Sequence, residues 1–65
     1  MTYNEYKLAT PIKQAFYREY EFAADHKDGF FNGQADKEAN TPKTANKANQ
    51  SFGYVTGYNA GYYLA

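Results

Sequence analysis

The chain has no cysteine, no tryptophan, one histidine, one methionine and two prolines in 65 residues. Without cysteine no disulfide can staple it. One histidine and no thiolate cannot make a tetrahedral zinc set, so neither a metal nor a cofactor is expected. Aliphatic side chains are scarce as well: Leu8, Ile12, Val55 and Leu64, with Met1. A domain of this length buries only roughly 60% of the surface its unfolded chain exposes. Its stability must therefore come from aromatic packing, from self-association or from a partner.

Catalytic signatures are missing too. There is no glycine-rich phosphate loop and no serine or threonine in a nucleophile motif. His26 stands in Asp25-His26-Lys27-Asp28. On a helix Asp25 and Asp28 share a face while His26 points elsewhere, so acid–base convergence is not offered. We expect no enzyme. No stretch approaches the roughly 20 apolar residues of a membrane span. The N-terminus lacks the apolar run of a secretory leader, which suggests a cytoplasmic protein.

Net charge is zero, which gives no global pull toward nucleic acid. The charge is uneven, however. All seven acids lie in residues 1–38 against five bases, while residues 39–65 hold only Lys43 and Lys47. On one continuous helix Glu21, Asp25, Asp28 and Asp36 would form an acidic face. Lys37, Lys43 and Lys47 flank the central linker and are the candidates for contact with RNA phosphates.

What the chain does have is rings. Eight tyrosines and five phenylalanines make 20% of it. A core of aromatics follows, and surplus tyrosine also suits an interface, because the ring buries area while the hydroxyl stays wet.

Two Thr-Pro pairs, Thr10-Pro11 and Thr41-Pro42, place a capping hydroxyl before a proline that tolerates the first helical position. The pattern predicts an N-terminal segment over 1–10 holding Tyr3 and Tyr6. A first helix follows over 11–38, then a linker over 39–42 and a second helix over 43–64. Ile12, Ala15, Phe16, Tyr20, Ala23 and Ala24 recur at helical spacing as the apolar face of the first helix. A break at Gly29 is the alternative. It would leave Asp25 and Asp28 at the negative end of a helix dipole, which favours continuity.

Residues 52–63 repeat Gly-Tyr three times at a spacing of four. A strand also fits that spacing, but it would have no pairing partner in this chain. As a helix, the repeat aligns Gly53, Gly57 and Gly61 in one stripe and Tyr54, Tyr58 and Tyr62 in the next. Gly29 and Gly33 repeat the spacing on the first helix. Small residues four apart let two helix backbones approach closely. The expected fold is all-α: a small antiparallel αα-hairpin with glycine/aromatic helix packing and an N-terminal extension.

From Ala24 to Tyr63 the chain resembles the ribosome modulation factor family and its small phage-encoded relatives. The matching residues are Gly29-Phe30, Gly33, Pro42, Phe52 and the Gly-Tyr series. The resemblance implies two helices around a proline linker, and binding to the small ribosomal subunit that silences translation. The family uses a strongly basic surface; this chain is neutral, with Arg18 its only arginine.

The first expectation for function is a small non-enzymatic accessory protein, of the kind phages and mobile elements encode. It would bind and inhibit or regulate a host protein or complex through Tyr54, Tyr58, Tyr62 and Tyr63. A ribosome- or RNA-associated modulator is the second expectation. A structural subunit of a larger assembly, self-association included, is the third.

Overall fold

The computed structural model describes residues 1–64. It is all-helical in its regular elements: α1 (Tyr3–Leu8), α2 (Pro11–Tyr20), α3 (Phe22–Glu38) and α4 (Phe52–Leu64). The α3–α4 pair makes most of the helix–helix contact, with α1 and α2 folded over one end.

The N-terminal segment is itself helical. Thr2 accepts from the Glu5 amide at 3.1 Å, and the Glu5 carboxylate accepts from the Thr2 amide at 2.9 Å. This reciprocal capping box starts α1. Thr10 caps α2 with Pro11 in its first turn, as that Thr-Pro pair implies.

The first helix is broken, but at Glu21 rather than Gly29. Glu21 has φ −128° and ψ −28° and belongs to neither helix. The bend turns Phe22 onto Phe52, with ring centroids 6.0 Å apart. It also puts Asp25 in the first turn of α3, where a negative charge is favourable. Gly29 and Gly33 are helical interior residues. α3 ends in a Schellman motif with Asn40 at φ 56°: the Asn40 amide donates to Lys37 and the Thr41 amide to Asp36.

The second helix begins at Phe52, not at residue 43. Pro42 pushes Thr41 toward extended angles. Asn46 then captures the Ala48 amide with its own side chain at 2.9 Å, a local bond that competes with helix. Ser51 finally caps α4 by accepting from Tyr54 at 3.1 Å. The linker is therefore 39–51, and Thr41-Pro42 opens no helix.

That long linker changes the direction of the pair. α3 and α4 run parallel rather than antiparallel. Gly53 faces Phe22, Gly57 faces His26 and Gly61 faces Phe30, a constant offset along both chains. α3 is 17 residues, about 25 Å. An extended 39–51 segment reaches up to roughly 40 Å, enough to return along the whole pair. It lies as a strap: Tyr62 donates to the Thr41 carbonyl at 3.0 Å, and the Thr44 amide donates to the Tyr58 hydroxyl at 3.0 Å. At its far end it meets the N-terminus, where the Tyr3 amide donates to the Gln50 carbonyl at 2.9 Å.

All five glycines are buried between the two helices. A β-carbon at Gly29, Gly33, Gly57 or Gly61 would run into the backbone of the facing helix. The carbonyls of Tyr54, Tyr58, His26 and Phe30 instead point at glycine Cα atoms, the arrangement of Cα–H···O contacts at close helix pairs. The buried non-glycine side chains are Tyr6, Tyr17, Val55 and Tyr58. Phe52 gathers the rings of α1, α2 and α3 at one end of this core. It stacks on Tyr6 at 3.9 Å and on Tyr3 at 5.3 Å.

Candidate functional site

The tyrosines proposed as one binding row separate in the structure. Tyr58 is completely buried. It packs between Tyr54 and Tyr62, with centroids at 6.2 and 5.8 Å. Its hydroxyl donates to the Asp36 carboxylate and accepts from Thr44. Tyr58 is therefore interior, and its assignment as a contact residue is corrected. The cause is the strap, which covers the flank that a bare helix pair would leave open. Tyr54 and Tyr62 are half-buried and Tyr63 is exposed. Tyr54 accepts from the Asn32 side chain at 2.9 Å.

The acidic face divides as well. Glu21 and Asp28 are exposed. Asp25 accepts from the Tyr17 hydroxyl at 2.7 Å, and that same hydroxyl accepts from the Gly53 amide at 2.7 Å. Asp36 binds Tyr58 and the Thr44 hydroxyl, the latter at 3.0 Å. Two of the four acids thus tie the fold together rather than forming a free stripe.

Each of the three lysines offered for RNA contact sits over a tyrosine ring. Lys37 lies 5.4 Å from the Tyr62 centroid, Lys43 4.8 Å from Tyr63 and Lys47 4.9 Å from Tyr3. Lys7 shares the Tyr3 ring at 5.5 Å. Such contacts are worth about 0.5–1 kcal/mol at exposed sites. They collect at the two ends of the strap. The distal end, where α4 finishes, presents Tyr62, Tyr63 and Leu64 beside Lys37 and Lys43. Composition flagged these residue types, but only the parallel pairing brings Lys43 to Tyr63.

No family model, curated protein or solved structure matches this chain. The site must be read from its own chemistry. Among the described residues no cluster of histidine, cysteine or carboxylate could hold a metal ion. No helix among them is long and apolar enough to cross a membrane. His26 is half-buried, and its ring lies 5.4 Å from Phe22.

The hydroxyls of Tyr17 and Tyr58 give the fold an alkaline limit. Burial pushes both phenols above their ordinary value, and the carboxylates that accept from them, Asp25 and Asp36, push the same way. The folded state thus favours neutral phenol more than the unfolded chain does. That stabilisation is complete below the unfolded value near 10 and is lost as pH rises through the raised folded values. Melting temperature should therefore fall from about pH 10 upward. Tyrosinate absorbance for the last phenols should rise together with the loss of helical dichroism. Melting temperatures that stay level through pH 11 or so would contradict the buried hydroxyl network.

Proposed function

We propose that this protein is a non-catalytic binding module that engages a protein partner through the distal end of α4. The observation that carries the proposal is the exposed Tyr63–Leu64 pair at the end of α4, with the Lys43 ammonium over the Tyr63 ring. Aromatic and apolar groups edged by cations suit protein interfaces, where tyrosine is enriched and often dominates the binding energy. A module without chemistry acts by occupying a surface, so inhibition or regulation of a host protein or complex is the activity proposed. A phage or mobile-element origin fits the size and simplicity of the chain by analogy alone.

The Lys–Tyr pairs support a second reading, a ribosome- or RNA-associated modulator. Lysines would meet phosphates and the tyrosine rings would stack on bases. The resemblance to the ribosome modulation factor family points the same way, although zero net charge weakens electrostatic attraction.

Salt and one substitution separate these readings. Tagged protein is used to capture partners from a bacterial lysate at rising ionic strength. A protein partner should be retained at moderate salt, and Tyr63→Ala should weaken it by about 2 kcal/mol, roughly 30-fold. Ribosomes or RNA that are captured at low salt and released steeply as salt rises would favour the second reading. Capture unchanged by Tyr63→Ala and Leu64→Ala together would remove the distal end from both.

A further inference from the structure

α2 is held from one side only. Tyr17 is buried beneath it, and the Gln14 side chain donates to the Tyr6 carbonyl at 2.8 Å. The opposite side is bare: Ile12 is 71% exposed, Phe16 60% and Tyr20 75%, with Phe16 and Tyr20 stacked at 5.9 Å. These residues were expected to form the core face of the first helix. The bend at Glu21 turns them to solvent instead. Ile12, Ala15, Phe16, Glu19 and Tyr20 border a shallow concavity on this face.

We propose that this face is the contact between two copies of the chain, with α2 packed antiparallel on α2 about a two-fold axis at Phe16. Three observations favour a second copy over other occupants.

The first is charge. Segment 1–21 carries Lys7, Lys13 and Arg18 against Glu5, Glu19 and Glu21, and the whole chain is neutral. Nothing here attracts a strongly charged partner or an anionic lipid surface, and nothing repels an identical chain.

The second is register. With Phe16 on the axis, Ile12 of one copy falls opposite Tyr20 of the other. On a 100° helical wheel Lys13 lies on the same flank as Tyr20, so it reaches Tyr20 of the second copy. This repeats the lysine-over-tyrosine contact that the fold makes at Tyr3, Tyr62 and Tyr63. Antiparallel packing also sets the two helix dipoles in opposition.

The third is area. A phenylalanine or tyrosine carries roughly 150–250 Å², so Phe16 and Tyr20 still show about 270 Å² per copy. Ile12 adds about 70 Å². Two faces with the stems of Lys13 and Glu19 reach about 850 Å², the size of a weak, transient contact rather than of a stable dimer. The dimer is therefore weak and reversible, with Kd on the order of tens of micromolar. It joins the molecules at the end opposite Tyr63 and presents two distal ends.

Sedimentation equilibrium of the full chain from about 5 µM to 1 mM, a range that brackets such a Kd, should show the mass rising from one chain to two. Phe16→Asp, at an exposed position, should leave the thermal melt unchanged and raise Kd at least ~30-fold. The chain has no cysteine, so single cysteines report the register. A mixture of Ile12→Cys and Tyr20→Cys chains should cross-link on oxidation far more than either alone. Three results overturn the proposal. One is a monomer at about 1 mM. Another is self-linking of Ile12→Cys as efficient as the mixture. The last is a monomer that binds phosphatidylcholine–phosphatidylglycerol vesicles and loses them with Phe16→Asp. Tyr63→Ala should leave the dimer intact, so failure of the dimer and failure of the distal binding end are read separately.

Discussion

Gly57→Ala is expected to lower the melting temperature by about 8–24 °C, although alanine is the better helix former by about 1 kcal/mol. A β-carbon there would lie 2.8 Å from the His26 carbonyl carbon and 2.9 Å from its Cα, and nearer still to the carbonyl oxygen. These atoms belong to the backbone of α3 and cannot rotate away. Relief requires α4 to lift off α3, which loosens the contacts at Gly29, Gly33, Gly53 and Gly61 together. Overpacking typically costs about 1–3 kcal/mol. A backbone obstacle belongs at or above the top of that range, so about 2–3 kcal/mol remain after the propensity gain. A chain of this size has only about 3–10 kcal/mol in total. Each kcal/mol moves the midpoint by roughly 4–8 °C. Gly57→Leu should be worse. A Gly57→Ala variant that melts at or above the wild-type temperature would show that the helices do not touch there.

Much of this interface was legible in the sequence because its signal is a spacing. Three glycines four apart in residues 53–61 and two in 29–33 specify two small-residue stripes whichever way the helices run. Direction is a different matter. A parallel pair needs a connector as long as the helices, and the residues of that connector, Thr44 to Ser51, read as a polar helix. What opposes helix there is the side-chain chemistry of Asn46 and the capping hydroxyl of Ser51. Both act through single local bonds with no periodicity. The break at Glu21 left no trace either, since neither glycine nor proline marks it. It is made by tertiary contact, the seating of Phe22 on Phe52 and of Tyr17 on Gly53.

The candidate site followed the same division. Residue types were legible, partners were not. The apolar pattern of Ile12, Phe16 and Tyr20 announced a helix face correctly, but a pattern does not say what covers the face. The strap and the bend exchanged the expected roles: the tyrosine row went partly inside and the first helix face went outside. The capping box at Thr2 and Glu5 could have been found, because Thr-x-x-Glu is its written signature. It predicts α1 directly.

Tyr58→Ala is expected to cost about 3–5 kcal/mol, the range for removing a large buried ring. In a chain with only about 3–10 kcal/mol in total, that loss removes about a third of the stability or more. Tyr58→Phe isolates the hydroxyl. The ring stack with Tyr54 and Tyr62 survives, but the Thr44 amide loses its acceptor and Asp36 loses a donor. Leaving such groups unpaired costs about 1–3 kcal/mol. The strap should then open before the helix pair, seen as faster amide exchange at Thr44 while Gly57 and Gly61 remain protected. The alkaline fall in stability should also flatten in Tyr58→Phe, because one of the two raised phenols is gone. Binding gives the deciding comparison with Tyr63. If Tyr58 is structural, the folded fraction of Tyr58→Phe binds a protein partner as wild type does, whereas Tyr63→Ala folds normally and binds poorly. A Tyr58→Ala protein with wild-type melting and lost binding would reverse the assignment. It would require the ring to leave the strap and reach the surface, and so to break its bonds to Asp36 and Thr44 at no cost to the fold.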